Sequence, residues 1–220
     1  MPQSFTSAFD FFSPAMWPLW ACSITLLTLI IEKLKGLQAS RILDPDLTEK
    51  IFESIKDLDI KDAEGIAERS DTLIGKAWAQ GLHEFSLGGI SLHNALTEAS
   101  ELALKPLKKY LSAIATIGVI SPLLGLLGTI IGMIITFSHI SAATGGSADK
   151  AALAGGISMA LFTTAAGLII AIPAIISGRY FSSKIIHYAE FVEADINKAN
   201  YLYNHSLSKQ KAKIDEKDHS

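Results

Sequence analysis

Small and hydroxyl-bearing side chains recur at helical spacing in the apolar segment 111–137. Successive members lie three or four residues apart, which places them on one face of a helix: Pro122, Gly125, Thr129, Gly132 and Thr136. Glycine lets two helix backbones approach closely, and a threonine hydroxyl can donate a hydrogen bond to a facing helix or accept one from it. The pattern therefore predicts either a helix contact face or the lining of a polar pathway.

The apolar segment 151–178 repeats this arrangement. Its small and hydroxyl residues are Ala160, Thr164, Gly167, Ala171 and Ala174, again at helical spacing. Stripes of this kind are common where helices pack against each other in membranes. From periodicity alone, helix packing is therefore favoured over conduction of an ion.

Neither segment contains Asp, Glu, Lys or Arg. A proton relay normally needs a titrating group at membrane depth. If protons cross here, another polypeptide must bring that group. A transporter with its own substrate site is also disfavoured, because it would need further polar groups at mid-depth.

Two ionisable residues near the ends of apolar segments are weaker candidates. Glu32, beside Lys33, could line an inner proton exit, although an ordinary helix-end residue is the simpler interpretation. His139 follows the segment 111–137 and could sense pH, although an interfacial histidine without such a role is favoured.

Patterns typical of enzymes, metal sites and nucleic-acid binding are missing from the sequence. The run from Gly125 to Gly132 lacks the Gly-Lys-Ser/Thr ending of a phosphate loop, and His83-Glu84 lacks the second histidine of a zinc protease helix. The net charge is −3, and Lys and Arg are interleaved with Asp and Glu rather than gathered in a basic patch. We expect no catalytic residue, no metal, no cofactor and no nucleic-acid partner.

Three apolar segments are long enough to cross the hydrocarbon core of a bilayer, which takes about 20 residues. They cover residues 11–31, 111–137 and 151–178. No Lys or Arg precedes the first segment, so it is expected to be a retained anchor and not a signal peptide. The predicted fold class is an all-α integral membrane protein with three transmembrane helices.

The distribution of Lys and Arg predicts how the segments between the spans are oriented. These residues follow the first span, precede the second and follow the third. The positive-inside rule then places residues 1–10 and the short connector 138–150 outside, and residues 32–110 and the C-terminal part in the cytoplasm. Apolar spacing predicts several amphipathic helices in 32–110 and a helical extension over 179–208. The charged tail 209–220 is expected to be disordered.

Both stripes lie in sequences that resemble the MotA/TolQ/ExbB proton-channel family. These are YLSAIATIGVISPLLGLLGTIIGMI at 110–134 and AGGISMALFTTAAGLIIAIPAII at 154–176. The likeness extends to Met16-Trp17-Pro18-Leu19 and to the Glu32-Lys33 step. Three spans with an outward N-terminus resemble the ExbB and TolQ branch, because flagellar MotA has four.

This resemblance implies a stator in the bacterial inner membrane. Family members form a homopentamer around two copies of a smaller, single-span partner of the ExbD or TolR type, whose membrane aspartate carries the proton. In the ExbB branch, proton flow drives a TonB-like energy transducer that serves outer-membrane uptake. The expected topology is a periplasmic N-terminus and a cytoplasmic C-terminus.

The resemblance also implies roles for two threonines. Thr129 in LGLLGT and Thr164 in FTTAAGL match the pore-facing threonines of the family. A hydroxyl can hydrogen-bond to both protonation states of a carboxylic acid in a dry pore, which a methyl group cannot. The weaker pore or packing candidates are Pro122, Gly125, Gly132, Thr136, Ala160, Thr163, Gly167 and Ala171.

Met159 departs from the family pattern. Many ExbB and TolQ sequences carry a glutamate five residues before the second threonine, and this chain has Met159 there. Two alternatives to an ExbB-like role stay open: a TolQ-type stator for envelope maintenance, and a membrane scaffold that stabilises its partner without conducting.

Overall fold

The computed structural model describes residues 16–37, 42, 44–142 and 150–218. Every regular element in these residues is an α-helix, so the predicted all-α class is confirmed. The helices are α1 (Trp17–Gly36), α2 (Pro45–Lys56), α3 (Ile60–Glu68), α4 (Leu73–Ser86), α5 (Leu92–Lys108), α6 (Leu111–Ala142) and α7 (Lys150–Asp218).

Three helices contain an apolar stretch long enough to cross a membrane, as the sequence predicts, and they are α1, α6 and α7. Large apolar side chains on them are exposed, among them Val119 at 65%, Ile134 at 63% and Ile169 at 70%. So much exposed apolar surface is stable in lipid and not in water.

The ends of the spans differ in part from the prediction. Helix α1 continues to Gly36, and α6 continues through Ala142 into the predicted connector. The predicted N-terminal segment 1–10, the first five residues of the predicted span 11–31, and residues 143–149 of the connector lie outside the described residues.

The chain forms two compact units. The membrane unit consists of Met1–Lys33 and Tyr110–Tyr180, and the loop unit consists of Leu34–Lys109 and Phe181–Ser220. Helix α7 contributes residues to both units.

Side-chain caps define where the helices of the loop unit begin. The Asp44 side chain accepts a hydrogen bond from the Leu47 N–H at 3.3 Å, and the Asp59 side chain accepts one from the Asp62 N–H at 3.0 Å. In the same way, Thr72 accepts from the Gly75 N–H at 3.1 Å and Ser91 from the Asn94 N–H at 3.3 Å. Each cap satisfies an N–H that has no partner within its helix. Between α4 and α5, Gly88 and Gly89 adopt φ angles of +83° and +96°, a conformation that glycine adopts at little cost.

The core of the loop unit includes side chains from both of its chain segments. Buried residues of the loop helices, such as Ile51, Trp78 and Leu82, belong to one cluster with Val192 and Ile196 of α7. The predicted amphipathic helices are thus present, and the helix that follows the third span completes their core.

Residues 209–218, predicted to be disordered, are helical in the structure. Lys, Gln, Ala and Glu are good helix formers, and a segment that continues an existing helix does not pay the nucleation cost. Lys211 and Asp215 are also spaced four residues apart, which favours a helix. Composition alone did not reveal this continuity.

Candidate functional site

Helices α6 and α7 touch backbone to backbone in the membrane unit. A Cβ atom added at Gly125 would lie 2.9 Å from the Thr163 carbonyl oxygen, and one added at Gly167 would lie 2.6 Å from the Ser121 carbonyl oxygen. A methyl group does not fit at such distances, so both positions need glycine. This is the close approach that small residues permit in lipid.

The contact continues toward the other end of α6. A Cβ atom at Gly128 would lie 2.6 Å from Thr163 Oγ1, and one at Gly132 would lie 3.2 Å from Ala160 Cβ. One added at Gly156 would meet Thr136 Oγ1. Residue numbers rise along α6 as they fall along α7, so the two helices are antiparallel.

Most residues of the two predicted stripes lie in this contact. The buried members are Gly125, Gly132, Thr136, Ala160, Gly167, Ala171 and Ala174, and Pro122 is half-buried. The weaker candidate Thr163 is buried in the same contact. Thr136 and Thr163 donate within their own helices, to Gly132 O and Ala160 O, both at 2.8 Å. In the described chain, these positions lie where α6 and α7 pack against each other.

Thr129 and Thr164 are both half-buried, unlike Thr136 and Thr163. The Thr129 hydroxyl donates to Leu126 O at 2.6 Å, and the Thr164 hydroxyl donates across to Gly125 O of α6 at 3.3 Å. Their side chains therefore lie at the margin of the contact.

The two threonines lie at the same edge of the helix pair. Successive residues point in directions about 100° apart around an α-helix axis. Around the α6 axis, Thr129 therefore points about 40° away from Gly125. Around the α7 axis, Thr164 points about 100° away from Thr163, and both rotations have the same sense along the chain. Because the helices are antiparallel, equal senses of rotation lead to the same side. We name this side, with Thr129 and Thr164, the threonine edge.

The opposite edge of the pair borders an apolar groove of about 340 Å³. Its lining is Pro18 of α1, Met159 of α7 and the α6 residues Leu124, Leu127, Gly128, Ile131 and Ile135. Met159 is thus surrounded by apolar side chains and lies at the edge away from the threonines. An ionised glutamate at this position would be costly.

The two weaker candidates are not part of the contact as described. Glu32 is exposed near the end of α1, and His139 belongs to α6 with a side chain that lies outside the described residues. Lys33, which the sequence presents only as a flanking charge, is 5% exposed. Its Nζ lies 6.0 Å from the centroid of the Tyr110 ring, a distance at which cation–π attraction operates.

The contact also includes residues that were not singled out from the sequence as members of the stripes, among them Gly118, Ser121, Gly128 and Gly156. Gly128 lies three residues after Gly125, so spacing alone could have included it. Ser121 takes part through its backbone carbonyl, which no side-chain pattern reports. In the parts of the chain that the structure covers, no group of three or more His, Cys, Asp or Glu residues could hold a metal ion.

The chain is similar in sequence to known membrane proteins. Residues 70–194 match the MotA/TolQ/ExbB proton channel family. The biopolymer transport protein exbB1 of Vibrio cholerae is 31% identical over 175 residues, which cover 76% of this chain and 74% of that protein. A putative ExbB-like protein of Synechocystis, ExbB-like 1, is 33% identical over 181 residues, covering 76% of this chain and 66% of its own length. The Tol-Pal system protein TolQ of Pseudomonas aeruginosa is 28% identical over 180 residues, which cover 77% of each chain.

Proposed function

The chain belongs to the MotA/TolQ/ExbB proton channel family, and from that premise we propose that it is an ExbB-like stator subunit whose threonine edge faces a proton pathway. In this proposal it works with a single-span partner of the ExbD or TolR type. Together they convert the proton-motive force into mechanical work for TonB-dependent transport across the outer membrane.

The observation that carries the proposal is the chemistry of the threonine edge. Thr129 and Thr164 are half-buried hydroxyls on the same side of a helix pair whose apolar spans contain no Asp, Glu, Lys or Arg. Their hydroxyls are the polar groups at this edge that a partner's acid could reach. The apolar groove at the opposite edge offers nothing comparable to a proton.

The chain's own part in proton transfer is to stabilise an acid that another polypeptide supplies. A threonine hydroxyl donates to a carboxylate and accepts from a protonated carboxyl, so it stabilises both states of the partner's aspartate. Away from water, each such bond is stronger than at a surface. Two hydroxyls on one edge would let the acid keep a partner as it moves along the helices.

The assembly that the family resemblance implies is a homopentamer around two copies of the partner. Each protomer would turn its threonine edge inward and its lipid-facing side chains outward. The N-terminus would lie in the periplasm and the C-terminus in the cytoplasm of a bacterial inner membrane. Positive charges that flank the spans support this orientation.

The test is proton flux into liposomes that contain the protein and its partner. We expect Thr129→Val and Thr164→Val each to reduce partner-dependent flux to the level of vesicles without partner, because valine keeps the shape and removes the hydroxyl. The matched control is Thr116→Val, since Thr116 is an exposed threonine of α6 whose hydroxyl donates to Ser112 O at 2.8 Å. Undiminished flux in both edge variants, with normal assembly, would refute the proposed pathway.

A non-conducting scaffold is the second candidate, and the burial of most stripe residues in the α6–α7 contact favours it. It predicts that the two valine variants support partner-dependent uptake, while bulky changes at Gly125 or Gly167 abolish it. A TolQ-type role in envelope maintenance is a third possibility within the family, because the TolQ relative matches most of the chain. Restoration of nutrient uptake rather than detergent resistance in deletion strains would distinguish the ExbB role from the TolQ role.

A further inference from the structure

Two threonine hydroxyls lie within reach of one backbone oxygen, the carbonyl of Gly125. Thr164 Oγ1 lies 3.3 Å from it and Thr163 Oγ1 lies 3.5 Å from it. Thr163 is 1% exposed and holds a second, shorter bond, to Ala160 O at 2.8 Å. Thr164 is half-buried at the threonine edge, so only Thr163 is enclosed on all sides.

A count of lone pairs shows that the two hydroxyls compete. A carbonyl oxygen has two lone pairs, and in a regular α-helix the Thr129 amide takes one of those of Gly125. One lone pair is left for a side-chain donor. Each hydroxyl has a single proton, so Thr163 can donate either to Ala160 O or to Gly125 O, but not fully to both.

The packing keeps Thr163 where it can serve both acceptors. Its side chain fills the space that Gly128 leaves open, since a Cβ atom at Gly128 would lie 2.6 Å from Thr163 Oγ1 and 2.7 Å from Thr163 Cβ. A β-branched side chain in such a site has little rotameric freedom. The exchange between acceptors thus needs only a small rotation of the hydroxyl.

We propose that Thr163 is a positioning residue that takes over the Gly125 carbonyl and so releases the Thr164 hydroxyl to the partner's acid. This inference rests on the proposed function, because it assigns Thr163 a role through Thr164. In the structure, the Thr164 hydroxyl donates to the lone pair of the Gly125 carbonyl oxygen that the helix leaves free. When the acid arrives, Thr164 turns toward it, and Thr163 donates to Gly125 O in its place. Ala160 O, which Thr163 leaves, keeps the Thr164 amide as its helical donor.

The experiment compares two pairs of proteins, and the two members of each pair differ only in the hydroxyl at position 163. A methyl group replaces this hydroxyl in the first pair, and a hydrogen atom replaces it in the second. The first pair is the unchanged protein and Thr163→Val, and the second is Thr163→Ser and Thr163→Ala. Partner-dependent proton flux is measured in liposomes, and assembly with the partner is measured by native mass spectrometry. The control is Ser121→Ala, because the Ser121 hydroxyl is buried in the same contact but donates to Ile117 O at 2.7 Å.

We expect flux to fall about fivefold in Thr163→Val relative to the unchanged protein, the factor that one hydrogen bond is worth. A similar fall is expected in Thr163→Ala relative to Thr163→Ser. Assembly should stay unchanged, and Ser121→Ala should conduct normally. If Thr163→Val fails to assemble, the Ser and Ala pair decides by itself.

Equal flux within the pairs would overturn the inference, because the hydroxyl would then be dispensable. Thr163→Ser conducting as poorly as Thr163→Ala would also overturn it, since the methyl group and not the hydroxyl would then matter. Normal flux in Thr164→Val alone would also overturn the inference, whereas normal flux in both Thr129→Val and Thr164→Val would refute the proposed function itself. Loss of flux in Thr164→Val with normal flux in Thr163→Val would leave the proposed function in place and remove only the role of Thr163.

Discussion

At the scale of single residues, Asp195 on α7 shows how burial changes an acid in the loop unit. It is half-buried, and desolvation raises the pKa of its carboxyl from the ordinary value of 3.8, while the positive charge of Lys198 opposes that rise. The Lys198 ammonium is also placed 4.3 Å from the centroid of the Phe52 ring. Desolvation outweighs the attraction, so folding favours the neutral form of Asp195.

The sign of the pH dependence follows from this raised pKa. A carboxyl with a higher pKa in the folded state stabilises the fold most below its unfolded pKa, and this contribution is lost as the pH rises through the folded pKa. We therefore expect Asp195→Asn to raise the melting temperature of the loop unit at pH 7, with a smaller difference from the unchanged protein at pH 5.

Trp78 fluorescence measures this transition, because Trp78 is buried in the loop-unit core. Trp17 and Trp20 are replaced by Phe in the background so that they do not contribute. Asp215→Asn, an exposed position on the same helix, is the control and should leave the melting temperature unchanged. A lower melting temperature for Asp195→Asn at pH 7 would contradict the prediction.

At the scale of elements, the α6–α7 contact depends on glycines that face another helix. Gly128 faces the buried, β-branched side chain of Thr163, which has no space to move away. Gly155, also in the membrane unit, has nothing within 4 Å of an added Cβ atom. The two glycines therefore form a matched pair that separates steric fit from the general effect of alanine on a helix.

We expect Gly128→Ala to destabilise the membrane unit by about 1–3 kcal/mol, the usual cost of overpacking. Gly155→Ala should be neutral or slightly stabilising, because alanine favours helix more than glycine does. Thermal unfolding in detergent, followed by circular dichroism, measures both. Equal melting temperatures for the two variants would mean that the helices pack less closely at Gly128 than the structure shows.

At the scale of the whole molecule, α7 contributes residues to both the membrane unit and the loop unit. Its first part provides Thr163 and Thr164, and its later part contributes Tyr188, Val192 and Ile196 to the core of the loop helices. The Tyr188 hydroxyl also donates to Leu37 O at 3.3 Å. The loop helices thus depend on a distant segment of the chain for a complete core.

Replacement of one core residue of α7 should therefore unfold helices far away in sequence. We expect Ile196→Ala to destabilise the loop unit by about 2–5 kcal/mol, because Ile196 is 3% exposed. Ile186→Ala on the same helix should change stability by less than about 0.5 kcal/mol, because Ile186 is 55% exposed. Hydrogen exchange of α4 and α5 measures the effect, and unchanged protection in Ile196→Ala would contradict it.

The sequence by itself determined the all-α class, the three spans and the family. Each depends on a local signal: a long apolar run, spacing of three or four residues, or a motif such as LGLLGT. The amphipathic helices of the loop were predictable for the same reason. The helical continuation to Asp218 was not, because composition does not report a preceding helix from which a segment can propagate.

Only the tertiary structure decided which residues of each stripe meet. Spacing placed Thr129 with Gly125 and Gly132 on one face, but only the antiparallel contact buries the glycines and leaves Thr129 at an edge. It likewise separated Thr163 from Thr164, which are neighbours in sequence and differ in environment. Periodicity gives the direction in which a side chain points from its own helix axis. Burial depends on where the second helix lies, and the position of that helix is determined by packing between residues distant in the chain.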